Sequence, residues 1–132
     1  MAKVLIIEDS ESQAEIIKSI VESAGHEPII CPDLKRGISQ TVLSVEPDIV
    51  LLDLVLLDKD GKPLQDGFQM CREIKRVSNN KIGVVIVSSK GDEASAKWAV
   101  LQGADAFLQK PFVVEDLIEV MEEVLRKSGE EN

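Results

Sequence analysis

Apolar residues fall along the chain in two alternating rhythms. Short continuous runs occupy residues 4–7, 28–31, 49–52, 82–87 and 106–108. The first, third and fourth are apolar throughout and rich in β-branched residues, the pattern of strands covered on both faces, as in a parallel sheet. The second and fifth are shorter or more mixed, which suits edge strands. Between the runs, apolar residues recur at helical spacing. The first helical stripe carries Ile16, Ile17, Ile20, Val21 and Ala24 and stops at Gly25. A second follows Pro32, with Asp33 as N-cap and Leu34, Ile38 and Val42 facing inward. A third carries Phe68, Cys71, Ile74 and Val77 after Asp66-Gly67, and a fourth spans residues 92–102 before Gly103. A fifth carries Val114, Leu117, Ile118, Met121, Val124 and Leu125.

Strands alternating with helices predict an α/β fold: a doubly wound, five-stranded parallel sheet with helices on both faces, flavodoxin-like, in the strand order 2-1-3-4-5. The 132 residues suit one domain, expected over residues 1–127 with a polar tail at 128–132. Composition agrees: 44% hydrophobic residues supply a core, and 30% charged residues supply a solvated surface. No apolar run nears the roughly 20 residues of a membrane span, and the first residues run straight into a strand, leaving no room for a signal peptide. A formal charge of −9 argues against nucleic acid as a partner. Cys31 and Cys71 lack metal-ligand spacing and read as packed thiols of a cytoplasmic protein. The lone His26 reads as a surface turn residue.

In a doubly wound sheet the working crevice lies at the carboxyl ends of the strands. The strand ends here are Glu8-Asp9, Asp53, Ser88-Ser89 and Gln109-Lys110-Pro111. Taken singly, each has a plain structural role. Glu8-Asp9 suits a helix start, Asp53 a strand cap, Ser88-Ser89 a helix cap and Lys110-Pro111 a strand exit. Together they place three carboxylates, a hydroxyl and an ammonium on one edge. Clustered carboxylates repel unless a cation sits among them. Oxygen donors without His or Cys select a hard cation, and Mg²⁺ fits best. Asp53 is then placed to attack phosphorus as a carboxylate nucleophile, with Ser88 and Lys110 meeting the phosphoryl oxygens.

These segments resemble the receiver domains of two-component response regulators over essentially the whole chain. The likeness rests on Val4-Leu5-Ile6-Ile7-Glu8-Asp9-Ser10, on Pro47 to Leu54, on Val87-Ser88-Ser89-Lys90 and on the stretch from Gly103 to Phe112. The resemblance implies that Asp53 is the phosphoacceptor, loaded by a sensor histidine kinase or its phosphotransfer domain. It implies that Asp9 binds Mg²⁺ directly, Glu8 acts through water, and the Val55 carbonyl is the third protein ligand beside Asp53. Ser88 would be the switch hydroxyl, 22 residues before Lys110, and Lys110 would pair with the phosphoryl group. The Lys110-Pro111 bond would be cis. Phe107 would occupy the aromatic switch position, signalling by packing because it has no hydroxyl. A downstream protein would dock on the fourth helix, the fifth strand and the fifth helix. The segment around Ser88, Trp98 and Gly103 looks most like single-domain receivers of twitching-motility and phototaxis pathways.

The loop after Asp53 departs from that pattern. Leu57 stands where the family commonly has Pro, and helix three starts late, as if residues 58–65 were inserted. Either a tolerated loop extension or a partner-specific loop would account for it. A calcium EF-hand fails, because Leu56 and Gly67 fall where carboxylates are needed. Trp98 shares a helix face with Ala94 and Leu101, opposite a small-residue face, and either face suits the sheet. Two competing functions are weaker. An aspartate-nucleophile phosphatase would need an acid where Val55 stands. An interaction domain without phosphorylation would not need the intact acidic, hydroxyl and lysine set.

Overall fold

The computed structural model describes residues 2–8, 10–31, 37–53, 67–88 and 103–130, and for residues 53, 67, 68, 88 and 128–130 it describes the backbone alone. The strands are β1 (Lys3–Ile7), β2 (Glu27–Ile30), β3 (Ile49–Asp53), β4 (Gly83–Ser88) and β5 (Ala106–Gln109). The described helices are α1 (Glu11–Ser23), α2 (Gly37–Val45), α3 (Gly67–Val77) and α4 (Val114–Glu130). Every strand pair is parallel, and the sheet order is β2-β1-β3-β4-β5. The mixed runs are indeed the edges.

Alternation of side chains along each strand splits the core in two. Leu5, Ile7, Val50, Leu52, Val84 and Ile86 point to one face, where Ile38 and Val42 of α2 and Met70, Cys71 and Ile74 of α3 cover them. Val4, Ile6, Ile49, Leu51, Val85 and Val87 point to the other, under Ile17, Ile20 and Val21 of α1 and Leu117, Met121 and Val124 of α4. Removing both faces of β1, β3 and β4 from water is the main stabilising term of the fold. Gly83 lets α4 come this close: a Cβ there would run into Val124 Cγ1.

Helix ends follow local chemistry. Ser10 caps α1, its Oγ accepting the Gln13 N–H at 3.4 Å. Gly25 takes φ +86° just past the last turn, a left-handed geometry that favours glycine. The predicted fourth helix with Trp98, the cap Asp33, Leu34 and residues 58–65 lie outside the described residues.

Four expectations need correction. Ile16 is 59% exposed, not part of the buried stripe of α1; it sits about 100° round the helix from the centre of the stripe. Val114 is 44% exposed because it opens α4 before the helix meets the sheet. The helix runs through Glu130, into the stretch read as a tail, because a packed helix extends at little cost once nucleated. His26 is not a free surface residue. Its side chain is 11% exposed, its Nδ1 accepts the Ala2 N–H at 3.0 Å, and its Nε2 lies 2.6 Å from Glu122 Oε1 on α4. The turn after α1 carries it beneath the C-terminal helix, where both ring nitrogens find partners. Cys71 is buried and Cys31 half-buried, and neither forms a disulfide, in line with packed thiols.

Candidate functional site

Register decides which residues meet at the carboxyl edge. Ile7 pairs with Leu52, so Glu8, the residue just past β1, falls level with Asp53. Asp53 in turn pairs with Val87, which puts Ser88 one step further out. Ser88 pairs with Gln109, and Lys110 follows directly. The strand ends carrying Glu8, Asp53, Ser88 and Lys110 therefore lie side by side. Asp9 and Val55 lie outside the described residues, and of Asp53 and Ser88 only the backbone is described.

Two side chains tie this edge together. Lys110 Nζ donates to Glu8 Oε2 at 3.0 Å and to Gln13 Oε1 at 2.6 Å. Lys110 leaves β5, while Glu8 leaves β1, and β3 and β4 lie between them. Adjacent strands stand about 4.8 Å apart, so three strand steps span roughly 14 Å. The chain after β5 and the lysine side chain thus cross the carboxyl ends of β4 and β3, where Ser88 and Asp53 are. The Lys110-Pro111 peptide is cis, as the resemblance implies.

Of the two described side chains Glu8 is the more enclosed, 2% exposed against 17% for Lys110. A buried carboxylate is tolerated only with charge or hydrogen-bond partners. Oε2 has the Lys110 ammonium, and Oε1 accepts the Ser10 N–H at 3.2 Å. A buried, oxygen-only donor at this edge fits a hard cation such as Mg²⁺. Among the described residues no three His, Cys, Asp or Glu side chains group together as a metal site; the partners expected to complete one, Asp9, Asp53 and Val55, are those whose side chains or placement are not described. Phe107 lies on β5, half-buried against the core face shared by α2 and α3.

The residue missed in the sequence is Gln13. Ser10-Glu11-Ser12-Gln13 reads as a helix capping box, in which the glutamine side chain turns back to the N-cap N–H. Glu8 takes that N–H instead, and the Gln13 amide reaches Lys110. The spacing from Ser10 was the available signal, and it points to a cap rather than to the site.

The model of the response regulator receiver domain family matches residues 4–122. This chain is a response-regulator receiver domain. It is 31% identical to the protein PilH of Pseudomonas aeruginosa over 126 residues, covering 95% of this chain and 98% of PilH. It is 32% identical to the uncharacterized transcriptional regulatory protein YvcP of Bacillus subtilis over 128 residues, covering 97% of this chain and 50% of that protein. Several of the curated relatives it matches are about twice its length. Among solved structures, a receiver domain protein from Clostridium thermocellum superposes with a TM-score of 0.81 at 25% identity, covering 98% of both chains. Receiver domains are signalling phosphoacceptors that interact with histidine kinases and downstream targets, and they are generally Mg²⁺-dependent. No helix among the described residues is long and apolar enough to cross a membrane.

Proposed function

We propose that Asp53 of this receiver accepts a phosphoryl group from a histidine kinase or its phosphotransfer domain, and that the phosphorylated form binds a partner protein differently. The observation that carries this reading is the Lys110–Glu8 bridge across the ends of β3 and β4. A cation kept at this edge would be available to a phosphoryl group on Asp53, which supports the reading. In the transfer, an Asp53 carboxylate oxygen bonds to phosphorus, the phosphorus–nitrogen bond to the donor imidazole breaks, and the imidazole leaves with the bonding pair. Lys110 and the Ser88 hydroxyl meet the charge on the phosphoryl oxygens. Glu8, Asp9, Asp53 and the Val55 carbonyl would hold Mg²⁺, which when bound neutralises further charge on those oxygens. The protein acts as a substrate and switch, not as a turnover enzyme beyond its own phosphorylation and dephosphorylation.

Ser88 moving toward the phosphoryl group and Phe107 repacking would carry the change to β5, α4 and the segment at 92–102, where a downstream protein docks. The near-complete coverage of PilH shows that a receiver of this length can make up almost the whole of a relative. The donor has an approach beside the site. A groove of about 430 Å³, lined by Gln13, Ile16, Ile20, Lys110, Phe112 and Val114, opens next to the lysine. Labelling with radioactive acetyl phosphate and Mg²⁺ tests the reading. The wild type takes label and Asp53→Ala does not; equal labelling of both would overturn it.

A further inference from the structure

We infer that Gln13 is a positioning residue for phosphoryl transfer, one that fixes the Lys110 ammonium before any phosphoryl group arrives. The inference rests on Asp53 being the phosphoacceptor and adds a residue outside the acidic, hydroxyl and lysine set.

A lysine ends a flexible four-carbon stem, and its charge can sample a wide volume. One partner restrains distance but not direction. Among the described residues the ammonium meets acceptors on two different elements, Glu8 Oε2 beyond β1 at 3.0 Å and Gln13 Oε1 on the first turn of α1 at 2.6 Å. With its root on the chain after β5, the group is held at three points. The rotamer freedom of the stem is then lost in the resting state rather than during the reaction, which is the condition for an effective preorganised charge.

The neighbouring bonds show how Gln13 is committed to this task. Its backbone N–H goes to Ser10 Oγ at 3.4 Å, which fixes its place in the first helical turn. In a capping box its side chain would serve the Ser10 N–H. Glu8 Oε1 already holds that N–H at 3.2 Å, so the Gln13 amide oxygen is turned to the lysine. One carboxylate thus does two things. Its first oxygen replaces Gln13 in the cap, and its second shares Lys110 with Gln13.

Gln13 is exposed, so substitutions there leave the core intact. Gln13→Met keeps the length of the side chain and removes the oxygen, whereas Gln13→Glu keeps an oxygen in place. Gln13→Met should slow labelling by acetyl phosphate by about five-fold, the loss expected for one partly exposed hydrogen bond to a charged group. It should weaken beryllofluoride binding by a similar factor and leave Mg²⁺ affinity, read by calorimetry, unchanged. Gln13→Glu should restore the rate to within about two-fold, because the ammonium regains an oxygen partner. A labelling rate in Gln13→Met equal to that of the wild type would overturn the inference. An ¹⁵N spectrum of the lysine ammonium groups separates this failure from failure of the phosphoacceptor reading. If the wild type takes no label, that reading falls, yet loss of the Lys110 signal in Gln13→Met still supports a tethered ammonium. An unchanged Lys110 signal counts against the tether whatever the labelling shows.

Discussion

At the amino edge of the sheet Lys75 reaches Asp105 Oδ2 at 2.8 Å, and at the carboxyl edge Lys110 reaches Glu8 Oε2 at 3.0 Å. The two pairs look alike: each joins a shielded lysine to a carboxylate from a distant part of the chain. Their surroundings differ. Lys75 also donates to the Ile82 carbonyl at 2.9 Å, and Asp105 Oδ2 also accepts the Val84 N–H at 2.8 Å. The Asp105 N–H returns to the Val84 carbonyl at 2.8 Å. Half of this cluster is backbone, so it is bound up with the sheet itself. Around Lys110 the described partners are side chains, Glu8 and Gln13. Side-chain partners can be exchanged for a phosphoryl oxygen without disturbing a strand. On the proposed reading, the same chemical pair is a fastening at one end and a working part at the other.

The largest expected effect breaks the likeness directly. Lys110→Ala should slow acetyl phosphate labelling by about a hundredfold, as when a charge-stabilising donor is removed. Lys75→Ala should leave labelling within about two-fold and lower stability by roughly 1 kcal/mol, read from urea unfolding, because it strips a donor from the part-buried Ile82 carbonyl and from the more exposed Asp105 carboxylate. Reversed outcomes would erase the distinction. Next, Gly83→Ala at the amino edge should cost about 1–3 kcal/mol by pressing on Val124, again with labelling preserved.

Cys71 sharpens the picture further. Burial pushes its thiol from 9.0 up to about 11, with Lys75 lowering it and Asp105 raising it. The unfolded chain loses this proton first, so between those values it binds fewer protons than the native state. Stability should therefore fall as pH rises from 9.0 and level off above about 11. Each tenfold difference in proton affinity between the native and unfolded thiol is worth roughly 1.4 kcal/mol. Urea midpoints of wild type and Cys71→Ala across this range check it; parallel curves would remove the thiol from the account. The smallest effect belongs to Asp105→Asn, which keeps an acceptor for the Val84 N–H and loses only a partly exposed charge. It should cost under about 1 kcal/mol and become smaller still in high salt.

The strands and the edge at which the candidate residues gather were legible because their signals are local and periodic. Continuous apolar runs marked β1, β3 and β4, and each run was followed at once by its polar residue. The order of the strands turned those scattered residues into one edge. What escaped was set by tertiary placement. Ile16 and Val114 have the composition of core residues, but their exposure depends on where a helix axis meets the sheet. His26 carries no pattern of its own; its partners come from α4, through Glu122, and from the Ala2 N–H before β1. Gln13 was hidden behind a local motif whose usual bond another residue had taken. Asp9, Val55, Ser89 and the long loop beyond Asp53 lie outside the described residues, so their assigned parts remain expectations from the resemblance.

The doubly covered sheet has one more consequence. In β1 and β3 both alternating sets of side chains are apolar, so sliding a strand by one residue exchanges one greasy surface for another. Oil is indifferent to that error; alignment is enforced by the polar ends. A chain shifted by a single position would still bury its hydrocarbon, yet Glu8 would no longer be level with Asp53. The Asp105 contacts to Val84 act as an index pin at the other end of β4 and β5, holding in step the two strands that deliver Ser88 and Lys110. Register at the acidic edge is thus secured in part by contacts made at the opposite end of the same strands.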